Sequence, residues 1–159
     1  MKPHPKLRKT IKWTGAAATV MLVMVWMSGC KPSGPTSTKT TSSGMATISQ
    51  RVNFLHEYVT FRRTYETLDF DIAYHNNGGG MVPGPSDWDL RLVATVPADE
   101  MPAWIPPGVS QTSAPDVAWL KSVPTALDLS GVSEWYVDGN RLVGLDRGNR
   151  IVVYRFSTH

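Results

Sequence analysis

Residues 66–75 read Glu-Thr-Leu-Asp-Phe-Asp-Ile-Ala-Tyr-His, and this stretch decides the fold. Its large apolar side chains, Leu68, Phe70, Ile72 and Tyr74, alternate with polar or small ones. A period of two residues puts alternate side chains on opposite faces of a strand. The pattern therefore predicts a half-buried β-strand with one apolar face and one polar face.

Residues 88–96, Trp-Asp-Leu-Arg-Leu-Val-Ala-Thr-Val, repeat the alternation after a glycine- and proline-rich loop over 76–87. The two segments predict an antiparallel hairpin. A slip of one residue would turn every side chain to the wrong face, so the register follows from matching the apolar faces. The predicted pairs are Tyr74 with Trp88, Ile72 with Leu90, Phe70 with Leu92, Asp71 with Arg91, and His75 with Asp87.

Asp138-Gly139 and Arg147-Gly148 mark two tight turns near the C-terminus. They predict a meander of three strands over about 133–137, 140–146 and 149–157. Two-residue turns would set Arg141 opposite both Tyr136 and Tyr154. The guanidinium would then lie between two rings, as in a cation–π sandwich.

The remaining segments predict helices. Ile48, Val52, Leu55 and Val59 recur at helical spacing, which favours a helix to about Thr60 over a strand. Proline-flanked segments near 99–105 and 113–122 predict two short helices. The predicted fold is α+β: a small single domain with an antiparallel sheet of about five strands, an N-terminal helix and two short helices.

The first thirty residues carry a different signal. A basic head without acidic residues leads into an apolar span, Trp13 to Met27, and then to the only cysteine, Cys30. Met27-Ser28-Gly29-Cys30 resembles the lipobox of a bacterial lipoprotein signal peptide, with methionine where leucine is usual. The resemblance implies cleavage between Gly29 and Cys30 and a lipid, including palmitate, on Cys30. An uncleaved membrane anchor is the alternative.

The resemblance divides the chain into a signal peptide over 1–29, a lipidated cysteine with a flexible linker over 30–46, and a globular domain over 47–159. It implies a lipid-anchored protein on the extracytoplasmic side of a bacterial envelope, in or facing the periplasm. Lys31 follows the cysteine in place of aspartate. By the same resemblance this favours the outer membrane over the inner one in a Gram-negative host.

Removing the signal changes the charge of the protein. Residues 1–29 contain 5 of the 16 basic residues and none of the 13 acidic ones. The rest of the chain has 11 basic and 13 acidic residues, a net charge of −2. Nucleic-acid binding is therefore not expected, because it depends on neutralising phosphates with basic side chains.

The candidates for chemistry are few. The sequence contains no nucleotide-binding or nucleophile-elbow motif, and its histidines lack zincin spacing. No metal site, catalytic residue or cofactor is predicted beyond the covalent lipid. A hydrolase-like enzyme remains an alternative, since the register brings His75 to Asp87 and a carboxylate can orient an imidazole.

The preferred function is a non-catalytic accessory or binding lipoprotein, inhibitor- or immunity-like or active in envelope assembly. Its partners would be the membrane, through the lipid, and an envelope protein. A long loop with apolar groups suits protein contact, and folding of the loop back over the sheet is the equal alternative. The predicted contact residues are Met81, Val82, Asp69, Asp71, Asp89 and Arg91. A second alternative is a sugar- or peptidoglycan-binding module that uses an exposed ring of Trp88, Trp104 or Trp119.

Overall fold

The computed structural model describes residues 36–76 and 86–158. These residues contain one open antiparallel sheet of six strands in the order β1-β2-β3-β6-β5-β4. The strands are β1 (Thr36–Thr41), β2 (Thr67–Asn76), β3 (Ser86–Thr95), β4 (Glu134–Asp138), β5 (Arg141–Asp146) and β6 (Ile151–Ser157). The predicted cleavage site and Cys30, with Met81 and Val82, lie outside the described residues.

The central hairpin is confirmed. β2 and β3 pair in the predicted register, with Tyr74 opposite Trp88, Asp71 opposite Arg91 and His75 opposite Asp87. β6 pairs with the other side of β3, so Leu92 lies between Phe70 and Tyr154. The apolar faces of these three strands form the floor of the main core.

The prediction of about five strands is wrong, because residues 36–41 form an additional edge strand. Thr-Ser-Thr-Lys-Thr-Thr has no apolar alternation, and the sequence predicted a flexible linker there. β1 pairs with β2 from Thr36 opposite Asn76 to Thr41 opposite Asp71. Threonine suits an extended backbone, and an edge strand can be fixed by its backbone pairing without burying an apolar face.

The prediction of an N-terminal helix and two short helices is also wrong in its extent. The described residues contain one α-helix, α1 (Ile48–Leu55), whose capping box joins Thr47 and Gln50. After His56 and Glu57 comes a run of aromatic and β-branched residues of lower helix propensity, and the helix ends at Leu55 rather than at Thr60. The predicted short helices are 3₁₀ turns, Met101–Trp104 and Ala118–Ser122, since prolines limit both segments.

The meander is present, but its first turn lies one residue later than predicted. Asp138 pairs with Arg141, and Gly139 in the turn adopts a φ of +56°. The second turn spans four residues, 147–150, instead of the predicted two, because Asp146 pairs with Ile151. Arg141 therefore lies opposite Phe156, while Tyr136 and Tyr154 flank Val143. The predicted cation–π sandwich around Arg141 is wrong, because the two changed turns set Val143 instead of Arg141 opposite both Tyr136 and Tyr154.

Each face of the sheet carries an apolar cluster. α1, the segment after it and Trp104 cover the face that presents Phe70, Leu92 and Val152. Residues 117–132 cover the other face, where a second cluster is built from Val93, Trp119, Val123, Trp135, Ile151 and Val153. The two predicted short helices thus place Trp104 and Trp119 on opposite faces.

Candidate functional site

The acidic side chains of the predicted contact surface lie largely inside the fold. Asp71 is 1% exposed and Asp89 is 4% exposed. Arg91 is partly buried between them on the same face of the sheet. Buried carboxylates need compensating charge, because removing an ion from water is costly.

That compensation comes from cations on three strands. Arg91 binds Asp71 at 3.4 Å (Nη1 to Oδ2) and also forms an ion pair with Asp89. Arg155 donates to both oxygens of Asp89 at 3.1 Å, and Lys39 approaches Asp71 at 3.2 Å. Burial raises the pKa of Asp89, but hydrogen bonds from the two arginines outweigh it and hold the pKa below its ordinary value. This set of five residues is here called the ion cluster.

Asp69 takes part in a separate internal contact. Its Oδ1 accepts hydrogen bonds from Arg51 at 2.5 Å and from the hydroxyl of Ser42 at 3.1 Å. Arg51 also donates to the carbonyl of Leu68, so this pair joins α1 to β2. Asp69, Asp71, Asp89 and Arg91 therefore have structural partners, and their contact with another protein stays a prediction.

His75 and Asp87 meet as the register predicts, at the end of the hairpin. His75 is exposed, and its Nδ1 shares a hydrogen bond of 2.8 Å with the hydroxyl of Ser37. The hydroxyl of Ser86 accepts a hydrogen bond of 3.0 Å from Tyr74. The side chains thus hold the edge strand and the strand ends together, and a hydrolase-like activity stays a prediction.

A cavity of about 480 Å³ lies on the opposite, apolar face of the sheet. This volume falls within the range of small-ligand sites. The segment after α1 forms one wall, and β2, β3, β5 and β6 form the other. The lining residues are Glu57, Tyr58, Val59, Thr60, Phe61, Ile72, Trp88, Leu90, Arg141, Tyr154 and Phe156. We call this the aromatic cavity.

Ring contacts hold one side of the aromatic cavity. Trp88 packs between Tyr74, at 4.5 Å between ring centroids, and Tyr58, at 5.3 Å. Tyr58 continues to Phe54 at 5.0 Å, and Phe54 stacks on Phe70 at 5.6 Å. Such pairs stabilise beyond the area they bury, so this wall is a preformed surface.

Few polar side chains line the aromatic cavity. Glu57, Thr60 and Arg141 are exposed, and Asp138 lies 4.0 Å from the guanidinium of Arg141. Burial raises the pKa of Tyr154, although the charge of Arg141 opposes this, and the phenol stays neutral at physiological pH. The cavity thus combines apolar walls with a small number of polar groups, the usual composition of a binding site.

A smaller hollow of about 190 Å³ shares Thr60, Phe61, Arg141 and Tyr154 with the aromatic cavity. Trp104, Pro106 and Pro107 line its far side. The two hollows together provide a groove-like surface beside the segment that follows α1. An extended apolar ligand has more contact area here than the main cavity alone offers.

Little in the sequence predicts the aromatic cavity. Its residues come from five separate segments, and the strands contribute side chains that look like ordinary core. The available signal was the aromatic and β-branched run from Tyr58 to Tyr65, which conflicts with the helical spacing before it. Of the tryptophans in the described ranges, Trp104, Trp119 and Trp135 are buried, whereas Trp88 is half-buried and lines the cavity.

Within residues 36–76 and 86–158, no group of three or more His, Cys, Asp or Glu side chains is placed to hold a metal ion. In the same ranges no helix has the length and apolar character to cross a membrane. Comparisons with known protein families, curated proteins and solved structures give no match to this chain.

Proposed function

We propose that this chain is a membrane-tethered lipoprotein of a bacterial envelope that acts without catalysis, by binding another envelope protein. The aromatic cavity is the binding site in this proposal. The observation that carries it is the combination of a cavity of about 480 Å³ with walls of Tyr58, Phe61, Trp88, Tyr154 and Phe156. Aromatic anchors seated in apolar pockets supply much of the energy of protein interfaces.

The export signal supports the location of this binding. The resemblance of Met27-Ser28-Gly29-Cys30 to a lipobox implies attachment to a membrane. An anchored domain meets a partner on the same membrane at high effective concentration, so a modest cavity suffices for specific association. Inhibitor-like, immunity-like and envelope-assembly roles all fit this arrangement.

Site-directed photo-crosslinking in native membranes tests the proposal. A photoreactive residue at Thr60, on the cavity wall, should capture a discrete envelope protein, whereas one at Ala98 should not. Tyr58→Ala should reduce that capture at least about tenfold, since tyrosine is a common interface hot spot. Val137→Ala is the matched control, because Val137 is also exposed but belongs to the other face of the sheet.

Capture that persists in Tyr58→Ala would remove the aromatic cavity from the proposal. Thermal unfolding of each variant separates lost binding from lost folding. Incorporation of labelled palmitate, and its absence in Cys30→Ser, tests the anchor independently of the cavity.

A sugar- or peptidoglycan-binding module is a second candidate, favoured by one observation. Trp88 is half-buried and lines the cavity, so part of its side chain faces the cavity. Retention of the protein on purified peptidoglycan, lost in Trp88→Ala, would favour this function. Lack of retention would leave protein binding as the preferred one.

A further inference from the structure

The position of the first residue of β1 determines which end of the sheet is connected to Cys30. Thr36 pairs with Asn76, and Asn76 pairs with Ser86, so these three residues lie side by side at one end of the sheet. Only five residues, 31–35, separate Cys30 from Thr36, so the two are six positions apart in the chain. A fully extended chain of that length spans at most about 20 Å. A lipid on Cys30 would therefore keep this end close to the bilayer.

The same end carries a cluster of aromatic residues. Tyr74 and Trp88 form a cross-strand pair two residues in from Asn76 and Ser86. Tyr58 packs against Trp88 and is 41% exposed, the most exposed large aromatic side chain in the described ranges. Tyrosine and tryptophan combine an apolar ring with a polar group, and they concentrate where a membrane meets water.

We propose that this end of the domain rests on the lipid headgroups of the membrane that holds the anchor, with Tyr58, Tyr74 and Trp88 as its contact residues. The inference rests on the lipid attachment in the proposed function. It adds an orientation: the strands point away from the bilayer, and the aromatic cavity lies beside its surface. A partner would then be engaged through a segment close to the membrane.

The two ends of β3 provide a matched pair of positions for the experiment. Ser86 is exposed at the proposed membrane end, and Ala98 is exposed just beyond the other end. The ten residues of β3 separate them by about 30 Å. Since lipidation would block the only native thiol, Ser86→Cys or Ala98→Cys can be labelled selectively with an environment-sensitive fluorophore in the mature lipoprotein.

The labelled proteins are reconstituted in vesicles of phosphatidylethanolamine and phosphatidylglycerol that contain a nitroxide-headgroup lipid. The label at Ser86 should be quenched severalfold more strongly than the label at Ala98. Tyr58→Ala should weaken quenching at Ser86, while Val137→Ala should leave it unchanged. Equal quenching at both positions, with lipid present on Cys30 by mass spectrometry, overturns this inference alone. Absence of lipid on Cys30 overturns the anchor in the proposed function, and this inference with it.

Discussion

Arg91 on β3 lies directly opposite Asp71 on β2, and its guanidinium joins two buried carboxylates, Asp71 and Asp89. The sequence predicts the pair of Arg91 with Asp71 on the polar, solvent-exposed face of the hairpin. Residues 117–132 cover much of that face, and the hydroxyl of Ser122 accepts a hydrogen bond of 2.8 Å from Arg91. The pair is therefore part of the interior, and its removal should affect folding.

We expect Arg91→Ala to lower the free energy of unfolding by about 3–5 kcal/mol, because it leaves two buried carboxylates short of a partner. Lys39→Ala is the matched control. Lys39 also pairs with Asp71, but its side chain is 58% exposed, and its loss should cost about 1 kcal/mol or less. Urea denaturation of both variants measures the difference. Equal costs would contradict a central role for Arg91.

The lowered pKa of Asp89 predicts that the stability of the fold depends on pH. A carboxyl group whose pKa is lower in the folded state than in the unfolded state stabilises the fold at pH values above the unfolded pKa, which is about 4. This stabilisation is lost as the pH falls through the folded pKa. Asp89→Asn should therefore be less stable than wild type at pH 7. The gap in melting temperature between the two should narrow below about pH 4. Parallel curves across this range would contradict the prediction.

The sequence predicts the register of the central hairpin because both strands alternate strictly and bury only one face. Pairing Tyr74 with Trp88 keeps the large apolar residues of both strands on one face along their full length, whereas a slip of one residue would turn them to opposite faces. The same reasoning misses β1, since its threonines and Lys39 carry no apolar period. An edge strand fixed by backbone pairing leaves little trace in a hydrophobicity pattern.

The site was less predictable than the fold. Alternation identifies which face of a strand is apolar, but it does not show how completely another segment covers that face. Asp71 and Asp89 are predicted to be accessible, but both are buried on the face of the sheet that residues 117–132 cover. The aromatic cavity forms where the segment after α1 leaves Trp88 and Phe156 partly uncovered, which depends on tertiary packing rather than on local sequence.

Gly144 provides a test of packing on the second face. A Cβ at this position would lie 2.6 Å from the ring of Trp135 and 2.6 Å from a methyl group of Val153, both buried. Gly144→Ala should therefore lower the free energy of unfolding by about 1–3 kcal/mol. Gly44→Ala is the control, because a Cβ there meets nothing within 4 Å. Thermal unfolding that shows no difference between the two would contradict this packing.

The edge strand itself can be tested by truncation. A chain that begins at Ser42 lacks β1, so it loses the pairing of Thr36–Thr41 with β2 and the contact of Lys39 with Asp71. Backbone hydrogen bonds contribute about 1 kcal/mol each, so we expect a loss on the order of 3 kcal/mol relative to a chain that begins at Thr36. The exposed edge of β2 should also promote association at high concentration. Urea denaturation and sedimentation velocity measure the two effects. Equal stability and equal association of the two chains would indicate that residues 36–41 act only as a linker.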